Sequence, residues 1–151
     1  MMMYWQDRRF LQFIRYFNET RDYFECHEVL EELWIDTGVR TKKHVLPLLI
    51  LISTSLYHWR RGNLCGAEKT MRNALKRFAE VEWDEPHIDN ASLHSQCEHA
   101  LQSIERRMAF CPFVIQTDSS LLWQRVTIEE APEQILVHKH VHVFQKYRKK
   151  T

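Results

Sequence analysis

Apolar positions recur along this chain with the period of a helix rather than of a strand. Phe10, Phe13, Ile14 and Phe17 fall at i, i+3, i+4 and i+7, predicting a first helix with one buried face. Asn18 to Asp22 reads as a connection. Asp22, with Glu25 three residues later, forms a capping-box-like start for a second helix ending near Gly38. A third helix is predicted from about Thr41 to Arg61, with Pro47 either marking its true beginning or kinking it. Its first half is apolar all round, as befits a central helix, and Ser53, Thr54 and Ser55 are small enough to let neighbours approach closely. Gly62 and Asn63 then read as a left-handed terminator and the next N-cap, closing a tight helical hairpin.

A fourth helix presents Leu64, Ala67, Met71, Ala74, Leu75, Phe78 and Val81 on one face and is broken at Asp84-Glu85-Pro86. A fifth, starting near Asn90, turns Leu93, Cys97, Leu101, Ile104 and Met108 to the core and stops before Pro112. Thr127, Glu130 and Pro132 fit the opening of a sixth helix, whereas Val137 to Phe144 alternates as a strand would; period alone does not decide this stretch. The expected fold is all-α: an irregular array of five or six helices with a tight central hairpin. It divides into a helical domain over 1–133 and a basic C-terminal tail over 134–151.

Composition changes this picture little. With 44% hydrophobic and 27% charged residues in 151, the chain is ordinary globular material, and three Gly and four Pro leave few breakers for a many-turned β fold. Met1 to Asp7 show no basic segment followed by an apolar core, so no secretory leader is expected, and the longest apolar run, Val45 to Ile52, is far short of the ~20 residues of a membrane span. Cys26, Cys65, Cys97 and Cys111 are scattered without a Cys-x-x-Cys, so they are expected as reduced core thiols in a cytoplasmic protein. The net charge of +1 hides an asymmetry: after Glu133 no acid follows, while Lys139, Lys146, Arg148, Lys149 and Lys150 supply five positive charges. With no nucleic-acid module beside it, that tail does not make nucleic acid an expected partner.

Chemistry concentrates in the second helix. On a wheel of about 100° per residue, Val29, Leu33, Cys26, Leu30, Tyr23 and Trp34 form one apolar arc, and Phe24 and Ile35 lie further round. His27 and Glu31, one turn apart, fall between these groups, while Glu25, Glu28 and Glu32 point to a face expected to be wet. An imidazole and a carboxylate turned inward need partners. They suit either a structural network with His58 or Tyr57 on the third helix, or a pocket completed by a ligand. His27, Glu31 and His58 would suit a divalent metal ion, or a proton-transfer set with Glu28. The zinc-protease pattern His-Glu-x-x-His lacks its second His here, since Glu31 stands in that place. His138, His140 and His142 form a short His-rich tract, which is compositional evidence only.

The run Tyr23-Phe24-Glu25-Cys26-His27-Glu28-Val29-Leu30-Glu31-Glu32-Leu33-Trp34, followed by Leu56-Tyr57-His58-Trp59-Arg60-Arg61-Gly62-Asn63 and Gly66-Ala67, resembles the bacterial and archaeal family called domain of unknown function 309. The likeness is dense over about residues 10 to 80 and returns at His138-Lys139-His140. It implies an all-helical fold with the two motif helices packed together, and it assigns no activity. The polar residues shared by position are His27, Glu28, Glu31, Tyr57, His58 and Asn63. Leu48 and Leu51 stand where the family usually carries a Gly and a Gln, which favours a binding or structural role here over catalysis. The expected site is a polar pocket of Tyr23, His27, Glu31, Trp34, Tyr57, His58 and Asn63 that takes a small ligand or a protein partner. The alternative is a hydrolase using His27, Glu31 and His58 as acid, base or metal ligands.

Overall fold

The computed structural model describes residues 3–118. The sixth-helix and strand readings, the His-rich tract and the basic tail lie outside the described residues. A short 3-10 turn, Tyr4–Gln6, precedes five helices: α1 (Arg8–Arg15), α2 (Tyr23–Thr37), α3 (Val45–Arg60), α4 (Leu64–Glu80) and α5 (Asn90–Glu105). No strand is present among the described residues; one isolated antiparallel bridge joins Ile88 to Thr117. The all-α expectation therefore holds.

Local chemistry explains the boundaries. Asp7, Asp22, Asn63 and Asp89 each accept a hydrogen bond from a first-turn amide of the helix they precede, satisfying one of its orphan donors. His44 does the same for α3 through Nδ1, at 3.1 Å from the Leu46 amide. Pro47 lies in the first turn of α3, where its missing N–H costs no hydrogen bond, so the helix starts four residues later than Thr41 and needs no kink. Gly38 and Gly62, at φ +71° and +83°, end α2 and α3 in the left-handed region. The stretch expected as a plain connection instead continues α1 through a π-helical turn, Tyr16–Thr20, and stops at Arg21, at φ 56°.

Helix α3 is the central element, buried continuously from Val45 to Trp59 save Pro47, with α2 on one side and α4 on the other. The hairpin to α4 closes tightly: the Ser55 hydroxyl donates to the Ala67 carbonyl at 2.7 Å, as the small-residue run suggested. Helices α2 and α3 run antiparallel. The Phe24 and Tyr57 rings meet at 6.0 Å near one end, and the Trp34 and His44 rings at 5.0 Å near the other. Helix α1 crosses the remaining side of α2, again antiparallel, with the Arg9 guanidinium at 3.4 Å from Glu32 and 2.7 Å from Asp36. The segment after α5 returns along the molecule: Trp59 Nε1 donates to the Met108 carbonyl, and the Asn18 side chain pairs with the Ile115 backbone in both directions.

Two expectations of burial fail. Met108 is 53% exposed, because α5 ends at Glu105 and Arg107, at φ 58°, turns the chain away before position 108 reaches the core. Cys65 and Cys111 are exposed, leaving only Cys26 and Cys97 as core thiols; all four are free.

Candidate functional site

The acidic helix α2 is the unusual element, because its buried residues include charged ones. Glu25 is 5% exposed, and His27 and Glu28 are fully buried. This corrects the reading of Glu25 and Glu28 as solvated. A helical wheel with one wet face assumes one packing neighbour, whereas α2 is held between α1 and α3. Glu32 stays half-buried, under Arg9, and Glu31, expected inside with His27, is also half-buried.

Burial sets the electrostatics. Both Glu28 carboxylate oxygens and both His27 ring nitrogens are shielded from solvent. Desolvation, reinforced by Glu25, Glu31 and Glu32, pushes the Glu28 carboxyl up to about 9, so it is protonated at neutral pH. Burial also raises the Glu31 carboxyl above its ordinary value. The Cys26 thiol, 3.8 Å from the Phe13 carbonyl, is pushed well up by the same cause. An acid kept neutral can donate a hydrogen bond, which an ionised carboxylate cannot.

The seven expected ligand residues are spread along the length of α2 and do not form one pocket. Tyr23, Tyr57, His58 and Asn63 gather where α2 begins and α3 ends. The Tyr23 ring is fully buried between Phe17 and Phe110, with the Arg60 guanidinium 4.9 Å from its centre. Its phenol is pushed up to about 12, first by burial. Asn63 has its side-chain oxygen engaged by the Gly66 amide at 3.2 Å, so its amide nitrogen faces His58 Nδ1, also at 3.2 Å. Nδ1 is therefore the acceptor, and the His58 proton sits on Nε2. Asn63 thus serves as helix cap and as orienter of His58. Trp34, eleven residues beyond Tyr23, lies roughly 16 Å along the same helix, at the rise of ~1.5 Å per residue. It packs on His44 instead. His27 and Glu31 lie between the two ends. Among the described residues no three His, Cys, Asp or Glu side chains are placed to hold a metal ion together, and His27, Glu31 and His58 are no exception.

Sequence reasoning passed over two other features. An open cleft of about 500 Å³ lies between the end of α4 and the start of α5, walled by Leu75, Val81, the stacked rings of Phe78 and Trp83 (7° between planes) and the edge of His94. A second, of about 450 Å³, sits beside His87, whose Nδ1 is 3.1 Å from Asp118. The aromatic spacing of Phe78 and Trp83 was visible, but nothing in it showed that α5 would leave the gap open.

Comparison with known proteins adds lineage without chemistry. The chain is 29% identical over 125 residues to the uncharacterized protein YpuF of Bacillus subtilis (strain 168), covering 81% of this chain and 71% of that protein. No solved structure matches it. No helix among the described residues is long and apolar enough to cross a membrane. Residues 10–70, from α1 into α4, match the family described as Domain of unknown function (DUF309), the family to which the motifs of α2 and α3 point.

Proposed function

We propose that this chain is a helical binding domain whose polar cluster on α2, centred on His27 and the protonated Glu28, recognises a small polar ligand or a partner side chain entering beside Glu31. The observation that carries this reading is the concentration of ionisable groups at fully buried positions of a helix wedged between two others. A fold gains no stability from desolvating charge, since apolar residues of similar volume serve a core as well or better. Such clusters are frequent at functional sites. Glu31, half-buried on the same helix as the sealed groups, is the carboxyl of the cluster that a ligand would meet first.

Binding fits the arrangement better than hydrolysis. The His27 nitrogens are shielded from water, and His58 has Nδ1 engaged by Asn63 and Nε2 buried, so neither imidazole is poised as a general base, whereas half-buried Glu31 leaves a carboxyl for a ligand to meet. A thermal-shift screen of the full chain against small amines, carboxylates and polyols tests the reading. A genuine ligand raises the melting temperature, and Glu31→Ala abolishes that rise while leaving the ligand-free melt nearly unchanged. A flat response across the screen, with Glu31→Ala and Glu28→Gln both neutral to partner capture by the purified protein, overturns it.

A further inference from the structure

The fold gathers five arginines that the sequence scatters. Arg21 follows the π-helical turn, Arg60 ends α3 with Arg61 just past it, and Arg106 and Arg107 follow the end of α5. Arg60 donates to the Arg21 carbonyl and lies over the Tyr23 ring. The Phe110 ring touches both Tyr23 and Trp59, at 5.8 and 5.2 Å, and Trp59 bonds the Met108 carbonyl next to Arg107. All five residues therefore belong to one end of the bundle, and all five are exposed. Of the acids at this end, Glu19 pairs with Arg15 and Glu105 with Arg72, Asp22 caps α2, and Glu25 is buried. Among the described residues no carboxylate pairs with any of the five. The opposite end differs in kind, since it mixes Arg40, Lys42 and Lys43 with Asp36, Glu80, Glu82 and Asp84.

We propose that this arginine-rich end is a docking face for the sugar–phosphate backbone of a nucleic acid, read by charge and donor geometry without regard to base sequence. Three features favour it. The charges are guanidiniums throughout, the group whose planar fork matches phosphate oxygens two at a time. Two of them are braced on aromatic rings, Arg60 on Tyr23 and Arg61 on Tyr57, at 4.9 and 5.3 Å, so less side-chain freedom is lost on docking. An acidic peptide, the rival occupant, is also read by arginine clusters, but both clefts that could seat its other side chains lie away from this end. A phosphodiester backbone needs only the charges. Part of the arrangement serves the fold, because cations at the ends of α3 and α5 complement the helix dipoles; that does not account for Arg21.

Fluorescence anisotropy of the full chain with labelled single-stranded and duplex oligonucleotides tests the face. Should each of the five guanidiniums displace one counterion, affinity falls by about 500-fold between about 50 and 200 mM salt. The double variant Arg106→Ala/Arg107→Gly suits the left-handed backbone at 107 and leaves the ring-braced arginines in place. It lowers the salt slope by about 2 and weakens binding equally across sequences. Lys42→Ala/Lys43→Ala, at the opposite end, leaves the slope unchanged. Absence of salt-sensitive binding overturns the proposal. So does a slope that survives the arginine variant and vanishes only when Lys146, Arg148, Lys149 and Lys150 are neutralised. Binding to anionic vesicles or polyglutamate without binding to nucleic acid overturns it as well.

Discussion

Glu28 is the residue whose environment makes the sharpest demand. Its folded-state value of about 9 stands above the ordinary 4.5. Between those two pH values the folded chain holds a proton that the unfolded chain has released. Stability from this group is complete below pH 4.5 and drains as pH climbs toward 9, at up to about 1.4 kcal/mol per unit. Urea unfolding at pH 7 and 8.5 of the protein and of Glu28→Gln separates the effect from Glu31 and Glu85, whose carboxyls are also raised by burial. The buried Tyr and Cys groups that are also raised begin to contribute only above 9, and the lowered His44 acts below 6.5. Glu28→Gln, which keeps the shape and the neutrality, should flatten the decline; an equal decline in the variant would show that the carboxyl is ionised in the fold. His58 depends on a single orienting neighbour. Asn63→Ala removes both the α4 cap and the partner that fixes the ring, and should cost about 1–2 kcal/mol. Asn63→Asp, which keeps the cap oxygen but has no donor for Nδ1, separates the two losses.

At the scale of the element, the sequence was legible wherever one neighbour decides burial. Gly62 and Asn63 marked the hairpin because the backbone there needs a positive φ and an amide acceptor, both local requirements. Gly62→Ala, forced to φ +83°, should lower stability by about 1 kcal/mol even though a Cβ meets nothing within 4 Å; a neutral result would mean the turn relaxes to another conformation. His27 was recognised as inward because apolar residues flank it on the wheel. Glu28 was misplaced because α2 packs against more than one neighbour, and a helix's own period shows only its apolar arc. Trp34 was assigned to the same pocket as Tyr57 since a wheel shows angle and hides height along the axis. The same limit applied to Met108, for periodicity ran on past the residue where the backbone turned.

Across the whole molecule, features assembled from distant segments were the ones a linear reading could not gather. Residues 21, 60–61 and 106–107 share one end of the bundle only because the start of α2 and the ends of α3 and α5 lie together. The cysteines provide a simple check of this global arrangement. Cys65 and Cys111 should react promptly with a thiol reagent under native conditions, while Cys26 and Cys97, both buried and with raised thiols, should wait for denaturant. Four fast thiols would mean that the packing of α2 or α5 has been misassigned.

The join between α2 and α3 also bears on how the chain would come apart. From Gly38 to Lys43 it runs almost wholly at the surface, with Arg40, Lys42 and Lys43 in easy reach of trypsin. Cleavage there severs the covalent link between the first two helices and the remaining three, yet the seam beneath stays zipped by Phe24 on Tyr57, Arg60 on Tyr23 and Trp34 on His44. A protein cut at that join alone, which migrates as two fragments under denaturing electrophoresis and as one species on a sizing column, is the expected consequence. It would make this chain a natural pair of complementing halves.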